Sequence, residues 1–504
     1  MNIDALLNEL IDYAASKHLI ETQDRIYCKN QLLSILDITE SIERPAKGDG
    51  AREAAAILQD ILDWAAENGV LEQNTVTERD LLDTKLMDVF AQRPSDVTRR
   101  FRELEREKGI REATAWFYEW CQDIHYIRRD RIAKNLSWKT PTEYGALDIT
   151  INLSKPEKDP KEIQAAKKAV VSSYPLCLLC QENVGYAGHL NHPARQNLRT
   201  IPVKLADEEW HVQFSPYVYY HEHAIVLKAD HEPMKITADT FLRLLDFVEQ
   251  YPHYFIGSNA DLPIVGGSIL SHDHYQAGRY EFPMARAEVD NKEELAAHPG
   301  VTAGRVRWPM SVVRLSGKDK HSVVRAGEDI LRQWKQYEDR SVQIIPETDG
   351  TPHHTITPIA RMRAEQFELD LVLRSNLTSE EHPMGIYHPH EEVHHIKKEN
   401  IGLIEVMGLA VLPGRLDKEL ELTAEALNSA DPEAALKDSI AEKHAAWALE
   451  AVEKGEAVDK KAFLEQEVGN VFHTILHHAG VFKRTGEGLD AFDRFLHTVQ
   501  GKRP

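Results

Sequence analysis

The segment 266–276 carries the residues of this chain that are best suited to chemistry. It reads Gly-Gly-Ser-Ile-Leu-Ser-His-Asp-His-Tyr-Gln, so two glycines precede a run in which apolar, small and polar residues alternate. This pattern predicts a loop that leads into a strand. Because side chains two apart on a strand share a face, we expect His272, His274 and Gln276 to project together. Three polar side chains on one strand face indicate a site and not a hydrophobic core.

An imidazole in this setting suits nucleophilic attack on phosphorus. A neutral histidine attacks as a nucleophile and later leaves as an activated phosphoramidate. Asn259 and Ser268 supply an amide and a hydroxyl nearby, and the glycines at 266 and 267 let the backbone approach a phosphate closely. A His-X-His pair on a strand is also typical of surface pairs and of hydrogen-bonded structural pairs. The functional interpretation therefore depends on other motifs in the chain.

The size and composition of the chain are those of a soluble globular protein. It has 504 residues, enough for two or three domains, with 42% hydrophobic and 28% charged residues. No apolar run is long enough to span a bilayer, and the first residues, Met-Asn-Ile-Asp, lack the basic region and apolar stretch of a signal peptide. We therefore expect a cytoplasmic protein with no membrane partner.

The charge and the cysteine content exclude two further classes of protein. The formal net charge of −21 argues against nucleic acid as a partner, because contacts to phosphate backbones need clustered lysine and arginine. A local basic pocket for one anionic metabolite is compatible with that total. Only four cysteines occur, at 28, 121, 177 and 180, so a disulfide framework is not expected. The 25 histidines, many of them in the middle of the chain, agree with metal or phosphoryl chemistry there.

Hydrophobic periodicity predicts an α+β protein with helical ends. Residues 1–165 show helical patterns, such as the apolar face at 57, 58, 61, 62 and 65, and a charged, proline-containing stretch at 156–161 indicates a boundary. Residues 166–300 show short strands around an amphipathic helix, and residues 301–420 repeat that style, which predicts two similar α+β halves. Residues 421–504 return to a helical pattern.

A second motif is the pair Cys177 and Cys180. Two thiolates at this spacing can hold one tetrahedral metal ion, which needs two further ligands. No second CxxC exists, so histidines must complete the set, and His231 and His272 are the candidates. A redox motif is disfavoured because no thioredoxin-like helix follows Cys180. Two merely buried thiols are the alternative.

The segment 182–199 is polar and contains glycines, which does not suit a core element. Asn191, Arg195, Asn197 and Arg199 are candidates for binding a base and its phosphates, the arginines through a bidentate fork. A loop that is simply solvated is the alternative.

Two further groups of histidines allow more than one interpretation. His388-Pro-His390 has the spacing of ligands to a second metal, such as iron or zinc, and lies among further histidines at 353, 354, 382, 394 and 395. Surface histidines in a turn-rich segment would give the same pattern. His473 and His477 lie one helical turn apart, as ligands do, but their apolar neighbours favour ordinary packing.

Together these motifs resemble the galactose-1-phosphate uridylyltransferases of the histidine-triad superfamily, and the longer bacterial type more closely than the common one. The resemblance runs from about Tyr174 to the C-terminus, and the longer type also implies a helical N-terminal third. The motifs that carry it are Cys177-Leu-Leu-Cys180-Gln-Glu-Asn183, Asn191-His-Pro-Ala-Arg-Gln-Asn197, Phe214-Ser-Pro216, Gly266-Gly-Ser-Ile-Leu-Ser-His-Asp-His-Tyr-Gln276 and His478-Ala-Gly-Val-Phe-Lys483.

The resemblance implies a fold of two histidine-triad-like α+β halves and a double-displacement reaction. UDP-glucose gives its uridylyl group to a histidine and releases glucose-1-phosphate, and galactose-1-phosphate then takes the group as UDP-galactose. His274 matches the nucleophile of the family, and Gln276 matches the glutamine that stabilises the intermediate.

The resemblance also implies the cofactors. Cys177, Cys180, His272 and the upstream His231 match the ligands of a zinc ion with a structural duty. A second metal ion is implied as well, but its ligands among the histidines at 382, 388 and 390 stay open. No organic cofactor is implied, and a homodimer is left open as the assembly.

Two departures and two rival functions follow from the same motif. The common type has His-Pro-His-Gly-Gln, whereas Asp273 and Tyr275 here predict a stiffer strand with a more polar second face. A nucleotide phosphohydrolase of the same superfamily would need a third histidine in place of Gln276, because glutamine cannot act as a general acid. A non-catalytic zinc-binding scaffold would bind no nucleotide, and no activity would depend on His274.

Overall fold

The computed structural model describes residues 2–41, 52–154, 173–267, 269–453 and 459–500. In these ranges the helices are α1 (Ile3–Ser16), α2 (Arg25–Ile35), α3 (Ala54–Glu67), α4 (Val76–Asp88), α5 (Pro94–Lys108), α6 (Ile110–Asp123), α7 (Arg129–Ile132), α8 (Ala238–Gln250), α9 (Pro283–Arg286), α10 (Lys320–Gln336), α11 (Leu403–Val406), α12 (Arg415–Leu427), α13 (Pro432–Leu436), α14 (Ala445–Glu453), α15 (Lys460–Ala479) and α16 (Gly486–Val499). The strands are β1 (Leu136–Thr142), β2 (Gly145–Asn152), β3 (Ile201–Leu205), β4 (Glu208–Phe214), β5 (Ala224–Lys228), β6 (Phe255–Gly257), β7 (His274–Gly278), β8 (Val289–Glu294), β9 (Val301–Val306), β10 (Val312–Gly317), β11 (Glu347–Thr348), β12 (Thr351–Pro352), β13 (His354–Arg363), β14 (Gln366–Ser375) and β15 (Leu409–Pro413).

Helices α1–α7 form the N-terminal region that the apolar spacing predicts. In α3 the residues at 57, 58, 61, 62 and 65 lie on one face and are at most 5% exposed. The same hydrophobic core includes strands of the main sheet. Phe117 of α6 contacts Phe214 of β4, with ring centroids 5.3 Å apart. The helical region is therefore packed on the first half of the sheet.

The prediction of a wholly helical region up to residue 165 is wrong near its end. Strands β1 and β2 form an antiparallel hairpin, and β15 pairs with β2 in parallel. In β2, Leu147, Ile149 and Ile151 are at most 1% exposed, and they alternate with polar residues in the period-2 pattern of a strand. The predicted boundary at 156–161 lies outside the described residues.

A ten-stranded antiparallel sheet organises the middle of the chain. Its strand order is β3-β4-β5-β7-β6-β13-β14-β10-β9-β8. The first five strands surround α8 in the sequence and the last five surround α10, so each half has five strands and one long helix. Strands β6 and β13 join the halves, with Gly257 opposite Ile359. This arrangement confirms the predicted α+β class. Strand β8 lies before the predicted boundary between the two halves at residue 300, but it pairs with β9, which lies after that boundary.

Helices α8 and α10 pack side by side against this sheet. A Cβ atom on Gly327 of α10 would come 3.0 Å from the ring of Phe241 on α8, so the glycine allows a close approach of the two helices. Within the described ranges, no helix is both long enough and apolar enough to cross a membrane.

Helix α15 lies close against the β1–β2 hairpin. Trp138 donates from Nε1 to the backbone carbonyl of Glu465 at 2.8 Å. A Cβ atom on Gly469 would lie 1.9 Å from Oγ1 of Thr140, and Thr140 is fully buried. Because the helix has no side chain at this point, β1 reaches its backbone. The turn between β1 and β2 is thereby held beside the helix.

Replacement of Gly469 by alanine should destabilise the protein. The added methyl group would overlap Thr140, which is fully buried and cannot move aside. Overpacking costs about 1–3 kcal/mol. Alanine regains roughly 1 kcal/mol over glycine in a helix. We expect an overpacking cost at the upper end of its range, which exceeds the gain in helix propensity. The free energy of unfolding, measured by urea titration, should therefore fall.

Gly486→Ala is the matched control for this substitution. Gly486 is the first residue of α16, and no atom lies within 4 Å of its Cβ position. This variant should be as stable as the wild type or slightly more stable. Equal stability of Gly469→Ala and the wild type would contradict the close packing of α15 on β1.

Candidate active site and metal set

Strand β7 positions the predicted nucleophile and the predicted glutamine. It lies between β5 and β6, so its backbone is paired on both sides. The ring of Tyr275 stacks on Trp210 with centroids 4.7 Å apart. His274 and Gln276 share the other face of the strand, as the spacing predicts. His272 precedes the strand instead of lying on it, and its imidazole contacts the cysteines of the CxxC motif.

His274 is buried and is held in one tautomer. Its Nδ1 lies 2.8 Å from the backbone carbonyl oxygen of His272, which can only accept, so Nδ1 carries the proton. The lone pair of the ring is then on Nε2. Burial lowers the pKa of His274 to about 4, and the hydrogen bond to the His272 carbonyl opposes this fall only in part. The imidazole is therefore neutral at pH 7, which is the form that attacks phosphorus.

Gln276 lies beside a second buried imidazole, that of His223. Gln276 is partly exposed, whereas its neighbours on the strand are buried. His223 donates from Nδ1 to the Tyr217 carbonyl at 2.8 Å, and its ring interacts with the Gln276 side chain. In the described part of the chain, neither Oε1 of Gln276 nor Nε2 of His223 has a partner in good hydrogen-bond geometry. Buried polar atoms in this state are available to a ligand.

The four predicted metal ligands, Cys177, Cys180, His231 and His272, come together in the structure and form a group termed the metal set. Cys177 Sγ lies 3.5 Å from Cys180 Sγ and 3.3 Å from Nδ1 of His272. Cys180 Sγ lies 3.1 Å from Nδ1 of His231 and 3.7 Å from Nδ1 of His272. Zinc bonds of about 2.3 Å to sulfur and about 2.0 Å to nitrogen place tetrahedral ligand atoms roughly 3.3–3.8 Å apart, so three of these separations lie in that range and the fourth is slightly shorter. The donor set therefore fits a zinc ion in chemistry and in spacing.

Hydrogen bonds around the metal set orient its ligands. His272 donates from Nε2 to the Lys228 carbonyl at 2.9 Å, which leaves Nδ1 for a metal. Asn183 donates from Nδ2 to the carbonyls of Cys177 and Cys180 at 2.8 and 2.9 Å and so holds the cysteine loop. Burial alone would raise the pKa of the Cys177 thiol, but hydrogen bonding, chiefly to His272, lowers it overall. This favours the thiolate, the form that binds a metal.

A cavity of about 1140 Å³ opens beside the metal set. Cys177 lies in its wall. Tyr217 and Tyr219 also line it, and both contact His223. The cavity is thus separated from His223 by these two tyrosines, and neither His223 nor the buried His274 is itself a lining residue.

The four residues predicted from segment 182–199 divide into two groups. Asn191, Arg195 and Asn197 line the cavity. Arg199 does not, because its guanidinium donates to the backbone carbonyls of residues 92, 196 and 198 at 2.6–2.8 Å. The prediction that Arg199 contacts phosphate is therefore corrected: the side chain ties the loop to the helical region.

Asn259 is buried behind the glycine loop that precedes β7. Its Oδ1 accepts a hydrogen bond from the Leu403 amide at 2.9 Å. Its Nδ2 would lie 2.8 Å from a Cβ atom on Gly267, so the loop approaches it closely only because residue 267 is glycine. Asn259 thus supports this loop from behind. The predicted Ser268 lies outside the described residues.

Sequence reasoning missed the cationic residues that line the cavity from distant parts of the chain. Arg128 and Arg131 come from the helical N-terminal region, and Lys397 comes from the second half. Both arginines pair with Asp80, and Lys397 pairs with Glu405 at 3.1 Å. The run Arg-Arg-Asp-Arg at 128–131 is the local signal that could have pointed to the arginines.

A second group of metal-type ligands lies beside α15. His390, Glu392 and His478 each place a donor atom within 4.8 Å of the others. The rings of His390 and His478 stack with centroids 4.2 Å apart, and His478 lies 3.3 Å from Glu392. Of the three histidines that the resemblance left open, His390 belongs to this group. His382 stacks on the His390 ring, and His388 contacts the carbonyl of residue 389.

Comparison with known families assigns this site to a class of enzyme. A family model described as galactose-1-phosphate uridyl transferase, N-terminal domain, matches residues 18–233, and the corresponding C-terminal domain model matches residues 247–449. These matches cover most of the chain, so the protein is a transferase. It belongs to the galactose-1-phosphate uridylyltransferase family, and the resemblance stated from the motifs is confirmed.

Known relatives match over almost the whole chain. A galactose-1-phosphate uridylyltransferase of Halalkalibacterium halodurans is 58% identical over 498 residues, 98% of each protein. One of Bacillus subtilis is 54% identical over 508 residues, 100% of this chain and 99% of the relative. Among solved structures, yeast Ap4A phosphorylase Apa2 is 12% identical with a TM-score of 0.34, over 68% of this chain and 92% of its own. That last likeness adds nothing to the family assignment.

Cys177→Ser should remove about one zinc ion per chain, because a serine oxygen is a poor zinc ligand. Elemental analysis of protein purified without chelators measures the metal content. Cys28→Ser is the control, since Cys28 is likewise a free thiol but lies outside the ligand set. Unchanged zinc in Cys177→Ser would mean that the CxxC motif is only a pair of packed thiols.

Proposed function

We propose that this chain exchanges a uridylyl group between UDP-glucose and galactose-1-phosphate through a covalent intermediate on His274. The products are glucose-1-phosphate and UDP-galactose. The family and the names of the relatives support these substrates. The observation that carries the mechanism is the 2.8 Å hydrogen bond from His274 Nδ1 to the His272 carbonyl, because it leaves Nε2 as an unprotonated nucleophile.

Two displacements make up the proposed reaction. Nε2 of His274 forms a bond to the α-phosphorus of UDP-glucose as the bond to the bridging oxygen breaks, and glucose-1-phosphate leaves with the electron pair. A phosphate oxygen of galactose-1-phosphate then attacks the same phosphorus. The nitrogen–phosphorus bond breaks and returns its electron pair to Nε2. Throughout, the Nδ1 proton stays on the ring and the His272 carbonyl stabilises the positive charge that develops there.

Gln276 stabilises the phosphoryl group in this proposal. It shares the face of β7 with His274, and its partial exposure lets its amide reach a ligand. Preorganised donors in comparable oxyanion sites are each worth about 3 kcal/mol. Glutamine delivers no proton, and none is needed because glucose-1-phosphate is a good leaving group. A contribution from the Ser268 hydroxyl stays a prediction.

The metal set acts on the nucleophile only through the backbone. A zinc ion held by Cys177, Cys180, His231 and His272 would supply a structural link between three segments of the chain. His272 contributes a ligand from its side chain and the carbonyl that orients His274. The residues of the set therefore fix the nucleophile without contacting the reacting phosphate.

The cavity is the proposed place of the nucleotide sugar. Its volume of about 1140 Å³ is slightly above the range of ordinary ligand pockets, which is about 300–1,000 Å³. Arg195 suits a phosphate because a guanidinium can form two parallel hydrogen bonds. Asn191 suits the base, whereas Asn197 offers only its Oδ1, because its Nδ2 donates to the Ile124 carbonyl at 3.0 Å. A homodimer and the absence of nucleic-acid and membrane partners stay predictions.

His274→Ala should abolish both transfer and the covalent adduct, with zinc content and fold nearly intact. After exposure to UDP-glucose, mass spectrometry of the intact protein should find the wild type heavier by one uridylyl group and the variant unchanged. Wild-type turnover by His274→Ala would contradict the mechanism, and an adduct on neither protein would favour a non-catalytic scaffold.

His354→Ala is the matched control for this experiment. His354 is also buried on a strand, also donates from Nδ1 to a backbone carbonyl, at 2.9 Å, and burial also lowers its pKa to about 4. It lies on β13 in the other half of the sheet. The adduct should persist in this variant, because the reactivity depends on the position of His274 and not only on its protonation state.

Gln276→His separates a transferase from a hydrolase. The substitution restores a third histidine, which could supply a proton and let water compete for the intermediate. We expect slower transfer and some gain in hydrolysis of UDP-glucose to UMP. The assay is release of UMP with and without galactose-1-phosphate. If the unmutated protein already hydrolyses UDP-glucose as fast as it transfers, the hydrolase replaces the transferase as the proposed function.

A further inference from the structure

A cluster of two histidines and a glutamate lies apart from the site described above, where α15 meets the turn between β1 and β2. His473 and His477 are one helical turn apart on α15, and Glu143 is in the turn. One donor atom of each residue lies within 4.8 Å of the others. Nε2 of His477 is 3.1 Å from Nε2 of His473.

We propose that Glu143, His473 and His477 bind a divalent cation of the zinc class. Zinc–nitrogen bonds of about 2.0–2.1 Å at a tetrahedral angle place two imidazole nitrogens roughly 3.3 Å apart, close to the separation observed here. Two imidazoles and one carboxylate form a zinc donor set that leaves one coordination position for water. In the sequence, the apolar neighbours of the two histidines favour ordinary packing. In the structure, however, the imidazoles are only partly buried and turn their Nε2 atoms toward each other.

The fold holds these three residues in place before any ion binds. The close contact of Gly469 with Thr140 keeps the β1–β2 turn beside α15. The ring of Tyr144 lies against both imidazoles, with centroids 5.6 Å from His473 and 5.7 Å from His477. Ligands that are already positioned lose little conformational entropy on binding, which favours affinity.

The charges around the cluster act in opposite directions. The exposed carboxylate of Glu143 attracts a cation, whereas the guanidinium of Arg484, over the Tyr144 ring at 5.7 Å from its centroid, repels one. Lys483 adds a second positive charge near the cluster, since its ammonium donates to the carbonyls of residues 477 and 478. Glu143→Gln should therefore weaken zinc binding and Arg484→Gln should strengthen it.

A bound ion would connect the β1–β2 hairpin to α15. Because the ion binds the folded chain and not the unfolded one, zinc should raise the melting temperature in proportion to the logarithm of its concentration. The cluster is separate from the proposed nucleotide cavity, since none of its three ligands lines that cavity. The proposal therefore has readouts that do not depend on turnover.

Zinc uptake by the full chain tests the proposal. The protein, with the metal of its cysteine set already measured, is dialysed against buffered free zinc, and the bound metal is counted. We expect His477→Gln to bind one ion fewer than the wild type and Glu143→Gln to bind that ion at least about tenfold more weakly. His321→Gln and Glu365→Gln are matched controls, an exposed helical histidine and an exposed glutamate in a hairpin turn, and should match the wild type.

Two results would overturn the proposal. One is equal zinc stoichiometry and affinity in the wild type, His477→Gln and Glu143→Gln. The other is a map of zinc-soaked crystals whose anomalous peaks lie only at the cysteine set or at His390, Glu392 and His478. Since Glu143 is exposed, its replacement keeps the fold intact, and this variant decides the question even if His477→Gln fails to fold.

Discussion

The hydrogen bond from the His274 ring to the His272 carbonyl is the interaction on which the rest of the site depends. This hydrogen bond selects the tautomer whose Nε2 can attack. Its acceptor is the backbone carbonyl of His272, whose own side chain is held by other contacts. The two ring nitrogens of His272 contact Cys177 Sγ at 3.3 Å and the Lys228 carbonyl at 2.9 Å. A shift of its backbone would break these contacts. In the proposed mechanism, the contacts of the metal set therefore orient His274 without touching a substrate.

The sheet adds a second constraint on the same strand. Strand β7 is paired with β5 and β6, and the ring of Tyr275 stacks on Trp210 on the face opposite His274. The guanidinium of Arg243 lies 5.5 Å from the Trp210 ring centroid and donates to Glu208 at 2.7 Å, which closes that face. The second face at residue 275 is thus buried and aromatic, with the ion pair of Arg243 and Glu208 beside it. The stiffer strand predicted from Tyr275 is consistent with such packing, because a locked strand keeps Nε2 in one place.

Local spacing made part of this site predictable. His272, His274 and the CxxC pair are each defined by residues two or three apart, so the strand and loop periods place them before any tertiary contact is known. The hairpin at 136–152 is not predicted although its buried residues alternate, because it follows directly on strongly helical segments. Arg199 was misjudged for another reason. An arginine in a polar loop satisfies backbone carbonyls as readily as phosphates, and sequence alone does not distinguish these partners.

The charge of the cavity follows from contacts that no local pattern contains. The chain has a net charge of −21, but charges beyond about 8 Å are largely screened at physiological ionic strength, so the wall of the cavity decides whether an anion enters. Its charged lining residues are the cations Arg128, Arg131, Arg195 and Lys397 and the carboxylates Asp80 and Glu399. Asp80 pairs with Arg128 and Arg131, and Glu405 pairs with Lys397, so neighbouring carboxylates balance much of this positive charge. The lining residues come from the N-terminal helices, the cysteine-bearing half and the second half of the sheet. The helical region is therefore a wall of the proposed binding site and not an appendage to it.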